Sequence, residues 1–173
     1  MIHIIGNKNK FAIQYQITKV YRQFFYGNIW YWINNTMLGK YDMSTTLSDL
    51  LLFLPVFVRD CGNRMHDSFY SMQLKDVFYC LSGEIFLKED VEIEEKACLE
   101  QWARFDISMP IDVFRETMVF LIDDINMSRI IYSNHKDINE YFLEKGYVDL
   151  ILKQLYAEFN IFFDHNCTIP IDT

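Results

Sequence analysis

The sequence predicts an α+β fold: a single domain over residues 1–173, with a mainly antiparallel sheet of about five strands and three to four helices. Two observations support this class. Apolar residues alternate with a period of two near the start of the chain and again after residue 116, as in half-buried strands. Between these regions, and again from about residue 147 to 163, they follow the spacing of a helix face.

The first two predicted strands lie within the first 33 residues. Residues 11–17 alternate between apolar and polar side chains, which indicates a strand with one solvated face. Residues 24–33, FFYGNIWYWI, are aromatic on both faces, as in a strand that is covered on both sides or that ends at a partner surface. Asn34 and Asn35 favour a turn because asparagine tolerates positive φ. Residues 37–41 could then add a short third strand to a meander.

Two helices are predicted next. Residues 47–58 carry leucine and valine at helical spacing, and Thr46 is a candidate N-cap. We expect Pro55 to kink or end this helix because proline has no backbone N–H to donate. Residues 74–81 form a second, shorter helical pattern, with Ser71 as its candidate cap.

The densest acidic run, KEDVEIEE, covers residues 88–95 and leads into a third predicted helix over 96–105. Carboxylates in a first turn interact favourably with the positive end of a helix dipole. A solvated helix start and a partner-binding surface are therefore both consistent with this run.

Strand periodicity returns at residues 116–122 and 128–132, with a polar break at 123–126 between them, which predicts a β-hairpin. The last element is a long C-terminal helix over about residues 147–163, whose leucine and phenylalanine stripe is typical of a core-facing helix. The tail after about residue 165 is expected to be loose.

The chain is acidic, with a net charge of −8 and a pI near 4.9. Such a surface repels phosphate and anionic lipid, so nucleic acid and membrane are not expected partners. It would attract a basic partner, although acidity also serves plain solubility. The N-terminus has no secretion signal, and the longest apolar run, residues 50–58, is too short to span a bilayer. We therefore expect a cytoplasmic protein.

The sequence carries no common catalytic or metal-binding motif. The phosphate-binding glycine motifs, the G-x-S-x-G elbow and H-E-x-x-H are absent, and the four cysteines show no C-x-x-C spacing. The adjacent pairs Asp123–Asp124 and Glu94–Glu95 do not form acid–base dyads, because neighbouring side chains point in different directions. No catalytic residue, cofactor or metal site is predicted.

Several short segments, taken in order, resemble the bacterial Immunity protein 42 family of polymorphic toxin systems. The similarity extends from about residue 4 to 160, with Pro55 and Cys61 as departures near the end of the first helix. The segments that carry it are Ile5-Gly6-Asn7 with Lys10-Phe11-Ala12-Ile13, Tyr26-Gly27 with Trp32-Ile33-Asn34, Leu38-Gly39-Lys40-Tyr41, Thr46-Leu47-Ser48-Asp49 with Gly62-Asn63-Arg64, Arg104-Phe105-Asp106-Ile107, and Gly146-Tyr147-Val148-Asp149.

The resemblance implies a protein that binds a cognate toxin domain as a heterodimer and neutralises it by occlusion, without catalysis or a cofactor. Many toxin domains of these systems are basic nucleases, which an acidic inhibitor would meet quickly through electrostatic steering. The alternative hypothesis is a small-molecule-binding or enzymatic α+β domain whose site is assembled from scattered residues.

Toxin-binding residues are expected among exposed acids and aromatics. Carboxylates on a helix start and a hairpin tip are the first candidates, and aromatic anchors on the two-faced strand are the second. The alternative is that the acids are solvated caps and the aromatics belong to the core. The candidates are Glu89, Asp90, Glu92, Glu94, Glu95, Asp123, Asp124, Trp30 and Tyr31.

Overall fold

A computed structural model describes residues 1–83, 91–134 and 137–167 of the chain, with the side chains of 91–94 outside the description. The chain divides into two compact units. The first unit comprises Met1–Arg59, Met109–Arg115 and Tyr147–Thr173, and the second unit comprises Asp60–Ser108 and Glu116–Gly146.

The regular elements of the first unit are β1 Ile2–Gly6, β2 Phe11–Tyr21, β3 Phe24–Ile33, β4 Thr36–Leu38, β5 Thr45–Thr46, α1 Leu50–Arg59 and α5 Tyr147–Asn166. Its strands form an antiparallel sheet in the order β1-β2-β3-β4, in which β5 also pairs with β3. Short 3₁₀ turns at Leu47–Asp49 and Asp112–Phe114 belong to the same unit.

The core of the first unit lies between the sheet and helix α5. Phe159 of α5 is fully buried, and its ring meets Tyr15 of β2 and Phe25 of β3 edge to face at centroid distances of 5.0 and 5.3 Å. Ile151 and Leu155, at helical spacing on α5, are buried as well. The apolar residues from which this helix was predicted therefore form the face that it buries.

Two local features shape β3 and its pairing with its neighbours. Asn34 and Asn35 both adopt positive φ in the turn after β3, as predicted. Gly27 faces Ile17 across the ladder, where a Cβ would stand 1.9 Å from the carbonyl oxygen of Gln16. Only glycine leaves room for this close approach of two strands.

The regular elements of the second unit, within the described residues, are α2 Asp67–Ser71, α3 Leu74–Ser82, α4 Val91–Leu99, β6 Val119–Asp123, β7 Met127–Asn134 and β8 Asp137–Glu144. The three strands form an antiparallel meander in the order β6-β7-β8. The core of this unit is aromatic, since Phe69 packs against both Trp102 and Phe105, and Phe120 of β6 packs against Phe78 of α3.

The predicted class is confirmed: the fold is α+β with antiparallel strands and a long C-terminal helix. The strands divide into two sheets rather than forming one, and β1, β5, β8 and α2 were not predicted. Helix α1 also continues through Pro55 to Arg59. Leu54 and Phe57 on either side of the proline are buried, so their packing outweighs the missing backbone hydrogen bond.

The predicted helix boundaries need three further corrections. Thr46 precedes the first turn, but within the described residues its side chain makes no capping hydrogen bond. Ser71 ends α2 instead of capping α3, because its hydroxyl donates to the carbonyl of Asp67 at 2.9 Å. The third predicted helix is α4 followed by a separate 3₁₀ turn, because Gln101 adopts a left-handed conformation between them.

Candidate functional site

The acidic charge of the chain is concentrated in the second unit. This unit holds 17 of the 24 acidic residues and 8 of the 16 basic residues, which gives it a net charge of −9. The first unit holds the other 7 acidic and 8 basic residues and has a net charge of +1. The division into units therefore separates a strongly acidic body from a nearly neutral one.

Two arginines of the second unit, Arg64 and Arg104, donate to backbone carbonyls. Arg64 is fully buried, and its Nε donates to the carbonyl of Arg104 at 2.8 Å. Arg104 in turn donates from Nε to the carbonyl of Asn63 at 2.8 Å and from Nη1 to the carbonyl of Gln101 at 3.1 Å. Burial lowers the pKa of Arg104. These cations stabilise loops and helix ends.

The acidic run predicted as a binding surface is only partly described. Glu89 and Asp90 lie outside the described residues, and so do the side chains of Glu92 and Glu94. Glu95 lies on α4 and is exposed. The role of this run in toxin binding stays a prediction.

The two carboxylates of the hairpin differ. Asp123 is buried at the end of β6, where its Oδ1 accepts a hydrogen bond from the hydroxyl of Ser128 at 2.6 Å and its N–H donates to the carbonyl of Arg64. The expectation that Asp123 is exposed is therefore wrong, because its carboxylate is buried within the hairpin and hydrogen-bonded to the Ser128 hydroxyl. Asp124, the next residue, lies partly exposed at the tip.

The two aromatic candidates are also buried. Tyr31 packs between Phe11 and Phe114, with ring centroids 5.4 and 4.9 Å away. Trp30 stacks under the exposed Tyr41 at 5.5 Å. The expectation that they present a surface anchor is wrong, because β3 is covered on both sides at these positions.

A hydrogen-bonded carboxylate that the sequence did not suggest lies after α4. Glu100 accepts the indole N–H of Trp102 at 2.8 Å and faces Nε2 of His66 at 3.1 Å. Because His66 Nδ1 accepts the N–H of Phe69, the neutral ring carries its proton on Nε2 and donates it to Glu100. The Trp102 bond first and the His66 bond second hold the pKa of Glu100 below its usual range.

A comparison with known protein families identifies the family to which the chain belongs. The model of the family described as Immunity protein 42 matches residues 1–158. The chain belongs to the Immunity protein 42 family. It is thus a toxin-neutralising immunity protein and not an enzyme, as the resemblance implied.

A solved structure supports the fold of this Immunity protein 42 member. The crystal structure of CdiI from Burkholderia dolosa AUO158 superimposes with a TM-score of 0.68 at 16% sequence identity, covering 91% of this chain and 99% of that chain. No curated protein matches the sequence.

A metal site or a membrane-spanning helix would be another kind of functional feature in this Immunity protein 42 member. The described part of the chain holds no group of three or more His, Cys, Asp or Glu side chains placed to bind a metal, and its cysteines form no disulfide there. No helix among the described residues has the length and apolarity needed to cross a membrane.

Proposed function

We propose that this immunity protein neutralises a basic, nucleic-acid-cleaving toxin domain in the cytoplasm, by covering it with the acidic surface of the second unit in a one-to-one heterodimer. The observation that carries the proposal is the charge difference between the units, −9 against +1. The proposal includes no direct binding of nucleic acid or membrane, which the same negative charge disfavours.

The physical reason is the chemistry of a nuclease surface. A protein that binds the phosphate backbone does so with lysine and arginine side chains. An acidic protein competes with the nucleic acid for these cations. Opposite potentials on two proteins accelerate their encounter by orders of magnitude at low ionic strength. Fast association suits an inhibitor that must reach the toxin before the toxin reaches nucleic acid.

Binding kinetics of matched charge reversals test the proposal. Three glutamates of the second unit change to lysine in one variant: Glu92→Lys, Glu94→Lys and Glu95→Lys. Three exposed aspartates of the first unit change in the control: Asp42→Lys, Asp112→Lys and Asp164→Lys. Both variants change the net charge by +6, so they differ only in where the charge lies.

Association with the toxin domain encoded beside the immunity gene is measured by stopped-flow fluorescence at low and at moderate salt. We expect the second-unit variant to associate roughly tenfold more slowly at low salt, and the difference to shrink as salt screens it. The control should change the rate by less than about twofold. Equal slowing by both variants would show that net charge acts without regard to its location.

Toxin activity supplies a separate test. The immunity protein should abolish cleavage of nucleic acid by the toxin at one equivalent, and separated cell fractions should contain it in the cytoplasm. Absence of a complex at micromolar concentration and low salt would overturn the proposed function. A toxin that binds the immunity protein but degrades no nucleic acid would overturn the assignment of a nuclease.

A further inference from the structure

We propose that the tip of the β6–β7 hairpin, together with the adjoining end of β8, is the anchoring centre of the toxin interface. This inference rests on the proposed function and names the surface that carries it out. The surface, called the tip patch below, has an apolar centre and a carboxylate rim. Its members are Tyr70, Ile125, Met127 and Phe142 in the centre and Asp124 and Glu144 in the rim.

The apolar centre is exposed, with Ile125 in the turn two residues before Met127. Ile125, Phe142 and Met127 are 73%, 44% and 37% exposed. Met127 pairs with Glu144 across the β7–β8 ladder, and Phe142 pairs with the residue two places after Met127, so these side chains share one face of the sheet. Contiguous apolar residues at an otherwise polar surface are typical of a binding site.

Helix α2 extends the patch at one side. The ring of Tyr70 meets Phe142 edge to face at a centroid distance of 6.0 Å. Burial, and then the charge of Asp124, raise the pKa of the Tyr70 hydroxyl. An apolar centre bordered by charged groups is the usual anatomy of a protein interface.

The tip is held in one conformation. The N–H of Asp124 donates to the carbonyl of Met127 at 2.8 Å, and the N–H of Lys145 donates to the carbonyl of Asn126 at 3.1 Å. Below the turn, the buried carboxylate of Asp123 is fixed by its serine partner. A side chain presented on such a turn loses little conformational entropy on binding, which favours affinity.

The negative charge around the tip patch favours one class of binding partner. The unit that carries it has a net charge of −9, so a second copy of the chain would meet a like-charged surface, and an anionic membrane would be repelled. A basic protein surface with an apolar recess would pair its cations with the carboxylate rim and cover the apolar centre. That is the chemistry expected of the toxin domain.

Dissociation rates of alanine variants test this assignment. We expect Phe142→Ala to raise the dissociation rate about tenfold or more and Ile125→Ala about fivefold, with association changed by less than about twofold, because buried anchors act on dissociation. Leu99→Ala is the matched control: Leu99 is 84% exposed on α4 in the same unit. It should leave both rates unchanged.

Several outcomes would overturn the inference. If Leu99→Ala raises the dissociation rate and Ile125→Ala does not, the anchor lies on α4. If none of the three variants acts while the wild-type complex forms and responds to salt, the tip patch is wrong and the proposed function stands. If wild-type protein forms no complex, both fail. If the free chain is a dimer that Ile125→Ala dissociates, the occupant is a second copy.

Folding does not confound the test. Phe142 packs against Tyr70, so urea denaturation of Phe142→Ala must accompany the kinetics. Ile125 has most of its surface in solvent and its truncation removes few contacts. The dissociation rate of Ile125→Ala therefore decides the question even if Phe142→Ala is unstable.

Discussion

Replacing Arg129 by methionine tests whether one buried guanidinium joins helix α2 to the second sheet. Arg129 lies on β7 and is almost completely buried. Its Nε and Nη2 both donate to Oε2 of Glu140, at 2.8 and 2.7 Å. Its Nη1 donates to the carbonyl oxygens at the end of α2, those of Phe69, Tyr70 and Met72, at 3.1, 2.9 and 2.7 Å.

The expected loss follows from these five contacts. Methionine fills much of the space of the arginine stem but donates no hydrogen bond, so the carbonyls of α2 and the Glu140 carboxylate lose their partner. Removing one partner of a buried ion pair costs about 3–5 kcal/mol. Because Glu140 is partly exposed and water can replace some of its bonds, Glu140→Gln should cost only about 1 kcal/mol.

Urea denaturation followed by far-UV circular dichroism measures the free energy of unfolding of each variant. Arg129→Lys keeps the positive charge but not the planar guanidinium. Its loss of unfolding free energy should therefore fall between the losses of Arg129→Met and Glu140→Gln. The double variant Arg129→Met, Glu140→Gln should lose no more than Arg129→Met alone. A loss below about 1 kcal/mol for Arg129→Met, or an equal loss for Glu140→Gln, would refute the carbonyl-binding role.

Three other predictions follow from single contacts. Phe159→Ala should lower the free energy of unfolding by about 3–5 kcal/mol in urea, and a loss below about 0.5 kcal/mol would mean that α5 is peripheral. Burial, then the 2.7 Å hydrogen bond from the Tyr15 hydroxyl to Glu158, raise the pKa of Tyr15. Since the protonated form is favoured on folding, this contribution is complete below about pH 10 and is lost as pH rises through the raised pKa. Tyr15→Phe should flatten that alkaline loss in pH-dependent urea denaturation, and an unchanged slope would contradict the cause. Trp102→Phe should raise the pKa of the Glu100 carboxyl in a carbon-detected NMR titration, and an unchanged pKa would mean that the indole does not stabilise the carboxylate.

The elements with one-sided burial were predictable from sequence. Helix α5 buries one face, so its apolar residues repeat with the period of a helix. In strand β2 the alternate residues Phe11, Ile13 and Tyr15 are buried, which gave the period of two, although Ala12 on the other face is buried as well. Strand β8 was missed because only Leu143 among its eight residues is buried, which leaves no periodic signal. Helix α2 was missed because it has five residues and its N-cap is His66, whose ring nitrogen replaces the usual serine or aspartate oxygen.

The candidate surface was harder to predict than the fold. The amount of negative charge follows from composition, but its confinement to the second unit depends on how two separate stretches of chain come together. Asp123 and Asp124 look equivalent in the sequence, and only the pairing of Asp123 with Ser128 separates a buried carboxylate from a partly exposed one. The sequence signal for the tip patch was Ile125, an apolar residue in the otherwise polar segment 123–126.

The first unit is closed by residues that are far apart in the chain. The hydrogen bond between Tyr15 and Glu158 joins positions separated by 143 residues. A ribosome that adds about 5–20 residues per second needs roughly 7–30 s to travel this distance, and the inner face of the nascent sheet has no terminal helix to cover it during that time. The first unit is therefore completed only after α5 has left the ribosome, and chaperones that hold apolar strands have that interval in which to act.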